Sequence, residues 1–353
     1  MRRVLIGVLA VLLSSPGAAG AATVEVDYCD DSSRYCSNTA VVQALPGEAN
    51  HLRFTRRPSA GMEVVDDGAS LTAGSGCTQT DPRTVLCPDA SVVSVEAGDR
   101  DDVVEMPRGL GIGGVTYDGG PGDDLLIGGD ANDRLQGGSG RDRVFGGPGA
   151  DLLEEGVAPA APDADLLDGG PGIDVVSYGS RAMPVSVRLD AAGSAPQAGE
   201  AGEGDRITAM EGVVGGSGDD VLSVTLGIAD DESDPYGPPF GIIGGKGDDV
   251  LTGGPGPDLI DASEGADRVD AGAGRDEVEL SDRHPRPAAR VACGPGVDAV
   301  KHAAVSDLLH ACDSISPRTG LYSLTSLGRG AVSVADLGYP RRRRVIVRVD
   351  GGR

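Results

Sequence analysis

The 353-residue sequence has no tryptophan, 3% aromatic residues, four histidines and only two lysines, Lys246 and Lys301. So few flat side chains are a poor basis for a sugar-stacking cleft. Acidic residues outnumber basic ones 55 to 30, for a net charge of −25, which argues against a nucleic-acid partner. The longest leading apolar run, residues 4–13, is too short to span a bilayer. H-E-x-x-H and G-x-S-x-G are both missing, so neither a zincin site nor a nucleophile elbow is encoded. C-x-x-C is missing too, which argues against a redox or zinc role for the six cysteines. His51, His284, His302 and His310 have no plausible nucleophile near them in sequence, and no catalytic activity is expected.

What the chain has in excess is glycine, 57 residues of it, and aspartate at a fixed period. Residues 119–154 divide into GGPGDDLLI, GGDANDRLQ, GGSGRDRVF and GGPGADLLE, and residues 244–279 into GGKGDDVLT, GGPGPDLID, ASEGADRVD and AGAGRDEVE. A fixed internal period decides a fold before local propensity does. Position 6 is always aspartate: Asp124, Asp133, Asp142 and Asp151 in the first block, Asp249, Asp258, Asp267 and Asp276 in the second. Position 8 is always aliphatic, whereas position 7 alternates between leucine or valine and charged residues. Position 8 is therefore the inward side chain of a very short strand, and position 7 faces out. Single units at 169–177 and 215–223 add Asp174 and Asp220, and a degenerate unit at 160–168 adds Asp165. A further degenerate unit, 97–105, carries Asp102.

A Gly-Gly pair lets the backbone take positive φ without steric cost, so a tight turn can aim several carbonyl oxygens at one point. The aspartate that closes the turn adds a carboxylate. Such hard oxygen donors favour Ca²⁺, which takes six to eight oxygens. Carboxylates stacked about 5 Å apart repel by about 1 kcal/mol in water and about 3 kcal/mol at an effective dielectric of 20. A column of them needs cations, so the ion-free chain is expected to be loose and the loaded chain folded.

The pattern G-G-x-G-x-D-x-(aliphatic)-x resembles the RTX, or haemolysin-type, calcium-binding nonapeptide repeat. The resemblance implies an all-β fold, a right-handed parallel β-roll (a β-solenoid) in which two nonapeptides make one coil. It also implies that aspartates two units apart stack and share an ion: Asp124 with Asp142, Asp133 with Asp151, Asp249 with Asp267, and Asp258 with Asp276. The ligand set it gives is these eight with Asp165, Asp174 and Asp220, for several Ca²⁺ ions. Ala131 at position 4 and Ala262-Ser263 in place of Gly-Gly depart from the pattern and point to weaker turns there.

Around the repeats, residues 1–21 read as a secretory signal peptide: Arg2-Arg3, an apolar run and an Ala-Gly-Ala cleavage site. Export through the general route is expected, to an oxidising, extracellular setting that suits six cysteines. They fall in three close pairs, Cys29/Cys36, Cys77/Cys87 and Cys293/Cys312; fifteen pairings are formally open, and local pairing is the simplest. Residues 22–96 hold short strand-like runs and read as an irregular, disulfide-tied cap on the solenoid, with a small separate β domain as the alternative. The roll is expected over 97–292 and a C-terminal cap and tail over 293–353. Between the blocks, strands are expected at 185–189 and 207–214. The phrase 202–222 resembles a spacer found between RTX blocks; Asp205 reads as a turn residue, or with Glu211 as an added ligand. Partners other than calcium are open. The other reading is an extracellular surface or cell-wall interaction protein that uses the roll as a rigid scaffold. It would present the 155–164 and 228–240 loops, or the basic Arg341–Arg344, to an anionic polymer or lipid.

Overall fold

Each nonapeptide spends its first six residues turning and leaves three for a strand, so most strands are three residues long. The computed structural model describes residues 21–27, 38–57, 61–88, 90–156, 163–225, 241–280, 288–303, 307–317, 322–326, 331–336 and 345–348. Nearly all of the expected leader, the Cys29/Cys36 pair, the 228–240 loop and Arg341–Arg344 lie outside the described residues. Among the described residues every regular element is a strand, and the roll is built from parallel ladders. Leu125–Ile127 pairs with Arg143–Phe145, eighteen residues on, and Arg134–Ser139 pairs with Leu152–Glu154 at the same spacing. One coil is therefore two nonapeptides, one strand on each face.

The core is a line of position-8 side chains. Leu126, Leu135, Val144, Leu153, Leu167 and Val176 are all fully buried, as are Leu222, Leu251, Ile260 and Val278 in the second half. At position 7, Arg134, Arg143 and Arg268 are exposed. In-register stacking puts like residues above one another, Leu126 on Val144 and Leu135 on Leu153. Each inward Leu or Val contributes about 1.5–3 kcal/mol of burial. Two such residues per eighteen leave little margin against backbone ordering at about 1–2 kcal/mol per residue.

One face runs unbroken through fourteen strands, from Leu71–Ala73 to Ser314–Pro317. Its first strands come from the N-terminal region: Thr39–Gln43 pairs with Val92–Glu96, which pairs with Val115–Pro121. On the opposite face His51–Arg57 pairs with Val103–Glu105. Cys77–Cys87 closes the antiparallel hairpin of Thr78–Asp81 and Thr84–Cys87, and Cys293–Cys312 ties the last described turns of the roll. The tail strands Tyr322–Ser326, Ala331–Asp336 and Val345–Arg348 form a separate antiparallel sheet.

The opposite face is interrupted once. Leu166–Asp168 pairs with Asp205–Thr208, but Asp205–Thr208 next pairs antiparallel with Ala195–Ala198 rather than with the following coil. Ser186–Leu189 pairs with Val221–Val224 and resumes the parallel stack. The two inserted strands approach each other through Ser186 N–H to Gly199 O, 3.0 Å. This face thus gains two strands that the continuous face lacks, and the coil is widened there. The single strand expected over 207–214 is in fact two, Asp205–Thr208 and Gly212–Val214. Ala209 between them takes a left-handed φ of 53°, which ends the first strand.

Candidate metal centre

The turns place every position-6 aspartate with its side chain inside the roll, and each of the eleven sequence candidates is at least 97% buried. They stand in four columns. Asp124 N–H donates to Asp142 Oδ1 at 2.8 Å, Asp102 N–H to Asp124 Oδ1 at 2.7 Å, and Asp142 N–H to Asp165 Oδ1 at 2.7 Å. The second column runs Asp133, Asp151 and Asp174 by the same bond, at 2.8 and 2.7 Å. The third runs Asp220, Asp249 and Asp267, at 2.8 and 3.1 Å, and the fourth Asp258, Asp276 and Asp298, both at 3.0 Å. Each expected pair, 124/142, 133/151, 249/267 and 258/276, is adjacent in a column. The longer spacings to Asp165, Asp174 and Asp220 are absorbed without breaking the columns.

Several column members escaped the periodic reading. Asp205 accepts from Asp165 N–H at 3.1 Å, and Glu211 from Asp174 N–H at 2.8 Å, so these two end the first and second columns. Asp205 is therefore the first residue of a strand and a column carboxylate, not only a turn residue. They lie 40 and 37 residues beyond their partners, which hides them from a nine-residue search. Asp313 ends the fourth column by accepting from Asp298 N–H at 3.0 Å. Asn50 stands at the foot of the first, where its backbone N–H reaches Asp102 Oδ1 at 2.6 Å.

The ladder uses only one carboxylate oxygen. The second oxygen, Oδ2, of Asp102, Asp124, Asp142, Asp151, Asp174, Asp249, Asp276 and Asp298 is buried without a hydrogen-bond partner. A bare buried carboxylate oxygen is costly unless something satisfies it. At Asp124, Asp142, Asp151, Asp174 and Asp249 it faces the position-1 glycine of its own turn, where a Cβ on Gly137, for example, would lie 2.5 Å from Asp142 Oδ2; at Asp102, Asp276 and Asp298 that position is Ala97, Ala271 and Cys293. Burial pushes the carboxyls of Asp124, Asp142, Asp151, Asp165, Asp249 and Asp258 up to about 7, with neighbouring carboxylates adding to the effect and backbone N–H donors opposing it. Asp102, Asp174 and Asp276 rise to about 6 for the same leading reason. Buried oxygens without donors, repeated coil after coil and backed by turn carbonyls, fit a hard divalent cation. A bound Ca²⁺ would supply the positive charge that the columns lack.

The widened coil holds a second cluster. Glu155, Glu203 and Asp205 place carboxylate oxygens within 4.8 Å of one another, all buried. Arg181, whose side chain is fully buried, lies between them: Nη2 reaches Glu155 Oε2 at 2.9 Å and Glu203 Oε1 at 2.6 Å. Tyr178 O–H donates to Asp205 Oδ2 at 2.8 Å, and Glu200 N–H to Glu203 Oε2 at 2.6 Å. Burial pushes Glu155 well up and Glu203 up to about 7, with Arg181 opposing in both. Burial pulls the Arg181 guanidinium down, but Glu203 and Glu155 outweigh it and hold the group charged.

Together the fold and these columns define a parallel β-roll whose turns are lined with carboxylates. Residues 118–153 and 243–278 match the family described as RTX calcium-binding nonapeptide repeat (4 copies). The chain thus carries RTX calcium-binding repeats, in the two blocks where the nonapeptide is cleanest. No curated protein matches the chain.

Proposed function

We propose that this protein is an exported calcium-binding β-roll that binds several Ca²⁺ ions and orders its coils on reaching calcium outside the cell. The observation that carries the reading is the row of buried Oδ2 atoms without donors at Asp124, Asp142, Asp151, Asp249 and their equivalents. Without a cation the columns hold mutually repelling, desolvated carboxylates. With one, the same oxygens become ligands, so ion binding free energy becomes folding free energy. Affinities of about 10⁻⁴–10⁻³ M are enough for extracellular modules, and would leave the chain unloaded at the low calcium of a cytosol. The N-terminal signal-like segment and the disulfides Cys77–Cys87 and Cys293–Cys312 support export to an oxidising compartment. The role is binding rather than catalysis, since the aspartates are committed to repeating columns instead of converging on a cleft.

The test is a calcium titration of the chain from residue 22 onward, read by far-UV circular dichroism and calorimetry. A largely disordered spectrum that converts to β as several ions bind, with no response to Mg²⁺, is expected. A β spectrum indifferent to both calcium and chelator would refute the coupling of binding to folding.

A further inference from the structure

The position-2 glycines of the repeats are not alike in conformation. At position 2, Gly98, Gly120, Gly138, Gly147, Gly170, Gly245, Gly272 and Gly294 all take left-handed φ, between 88° and 114°. These eight turns are the ones whose aspartate Oδ2 is bare: Asp102, Asp124, Asp142, Asp151, Asp174, Asp249, Asp276 and Asp298. Gly129, Gly216 and Gly254 occupy the same position with φ outside the left-handed range. Their N–H groups turn inward and donate to the Oδ2 of their own aspartates, Asp133 at 2.6 Å, Asp220 at 2.7 Å and Asp258 at 2.7 Å. A flip of the glycine backbone thus separates open turns from closed ones.

The closed turns are not scattered. Asp133, Asp220 and Asp258 are the first aspartates of the second, third and fourth columns. Beneath Asp133 and Asp220 the ladder donors are Val115 N–H and Val185 N–H, each at 2.8 Å, so no carboxylate stands one coil below. At these two feet no second aspartate faces the turn from below, and the chain satisfies the exposed oxygen itself; at Asp102, the foot of the first column, Asn50 stands below and the oxygen is left bare. A carboxylate that accepts from backbone amides is already stabilised. An ion at its Oδ2 would meet the positive end of the inward glycine N–H and would have to share the oxygen with it or rotate the backbone away. An open turn needs neither step.

We propose that calcium loads the eight open turns and not the three closed ones, which makes Asp102 and Asp298 ligands and removes Asp133, Asp220 and Asp258 from the first coordination sphere. This partition rests on the calcium-binding reading above. Asp102 and Asp298 lie outside both segments that match the repeat family and outside the eleven aspartates singled out by period. Each is 1% exposed, with a bare Oδ2 aimed into a turn opened by a left-handed glycine. At Asp102 the turn is held in shape by a further left-handed residue, Arg100, at φ 88°. The Asp133/Asp151 pair then holds its ion at the Asp151 turn, and the Asp258/Asp276 pair at the Asp276 turn.

The test counts ions on the full chain. Crystals grown in calcium should show anomalous density at the eight open turns and none at Asp133, Asp220 or Asp258. Calcium at any of those three overturns the partition. In solution, equilibrium dialysis against saturating Ca²⁺ with atomic emission should show Asp102→Asn and Asp298→Asn each losing one ion. Asp133→Asn and Asp258→Asn should keep the full number, with far-UV circular dichroism confirming that each variant is folded. Undiminished binding in both Asp102→Asn and Asp298→Asn overturns the assignment of those two sites. Wild-type protein that binds no calcium refutes the underlying reading along with it, and so is distinguishable from ions in the wrong turns.

Discussion

Two parts of the roll solve the same electrostatic problem in opposite ways. In the repeat blocks, carboxylates such as Asp124 and Asp142 are stacked, buried and left with an oxygen that no donor reaches. In the widened coil, Glu155, Glu203 and Asp205 crowd as closely, yet their charge is met from within by Arg181 and by the Tyr178 hydroxyl. On the reading proposed above, the repeat blocks draw their cation from solution, whereas the widened coil carries the Arg181 guanidinium. A β-roll can thus hold regions of very different calcium dependence on one continuous sheet. The coil that breaks the sequence period is the one that sets a buried arginine among its carboxylates.

Removing calcium should expose that difference with the largest effect. In excess chelator, amide hydrogen exchange at Asp124, Asp142, Asp249 and Asp276 should lose most of its protection. The amides around Arg181, Tyr178 and Asp165 should lose much less. Equal loss in both places would mean that the widened coil has no independent hold and that the comparison fails.

The next largest effect is expected at Arg181. Arg181→Met leaves Glu155 and Glu203 buried without their cation, and breaking such a pair costs about 3–5 kcal/mol. Chemical denaturation in saturating calcium should show it, at pH 8, where Glu203 with a carboxyl near 7 is mostly ionised. Arg181→Lys should recover part of the loss, since one ammonium cannot match a planar guanidinium. A cost below about 1 kcal/mol would show that the carboxylates find another way to neutralise.

Acid should act on the repeat blocks in a direction set by their raised carboxyls. Asp124, Asp142, Asp151 and Asp249 lie near 7 when folded, against about 3.9 when unfolded. The folded state therefore binds more protons between those values. Without calcium its stability is fully present below about pH 4 and is lost as pH rises through about 7. Circular dichroism in chelator should show β structure retained at pH 4 and diminished at pH 8. With calcium present the trend reverses, because protons compete with the ion for the same oxygens, and affinity should fall as pH drops below 7. Ion-free protein that is equally ordered at pH 4 and pH 8 would show that the columns are not charged as argued.

Much of this was legible from period alone. Position 8 reads as core because only that position is aliphatic in every unit, and position 6 as ligand because only it is always aspartate. The coil of two units, and with it the pairs 124/142 and 249/267, comes from the resemblance to the RTX repeat and not from the period. Where the spacing changes, the signal fades: Asp205 and Glu211 continue columns across 40 and 37 residues, which no short-period search links. Arg181 was invisible for another reason, since a lone arginine in an irregular segment carries no pattern until the fold sets it between Glu155 and Glu203. Open and closed turns could not be told apart at all. Gly119-Gly120 and Gly128-Gly129 are the same two letters, yet Gly120 takes left-handed φ and Gly129 does not, so the pair itself carries no signal of which way its second residue turns.

The smallest effect concerns a departure from the repeat. Ser263 stands where the pattern has glycine, and weaker turn geometry was expected there. It nonetheless takes the left-handed conformation, at φ 57°. A side chain in that region costs about 1–2 kcal/mol. Two local bonds offset part of the cost: Ser263 N–H and Oγ–H both donate to Asp261 Oδ1, at 2.8 and 3.1 Å. Ser263→Gly removes the strain and keeps the backbone bond but loses the hydroxyl bond, itself about 0.5–1.5 kcal/mol. The two nearly cancel, so a gain of at most about 1 kcal/mol in the calcium-loaded protein is expected, read as a small rise in Tm. Ser263→Val tests the same turn from the other side, since a β-branched residue meets the conformational cost without the hydroxyl and should lower Tm. If both variants leave Tm unchanged, the second block's third turn contributes nothing to the loaded fold, and the uniform column drawn through Asp249 and Asp267 is broken there.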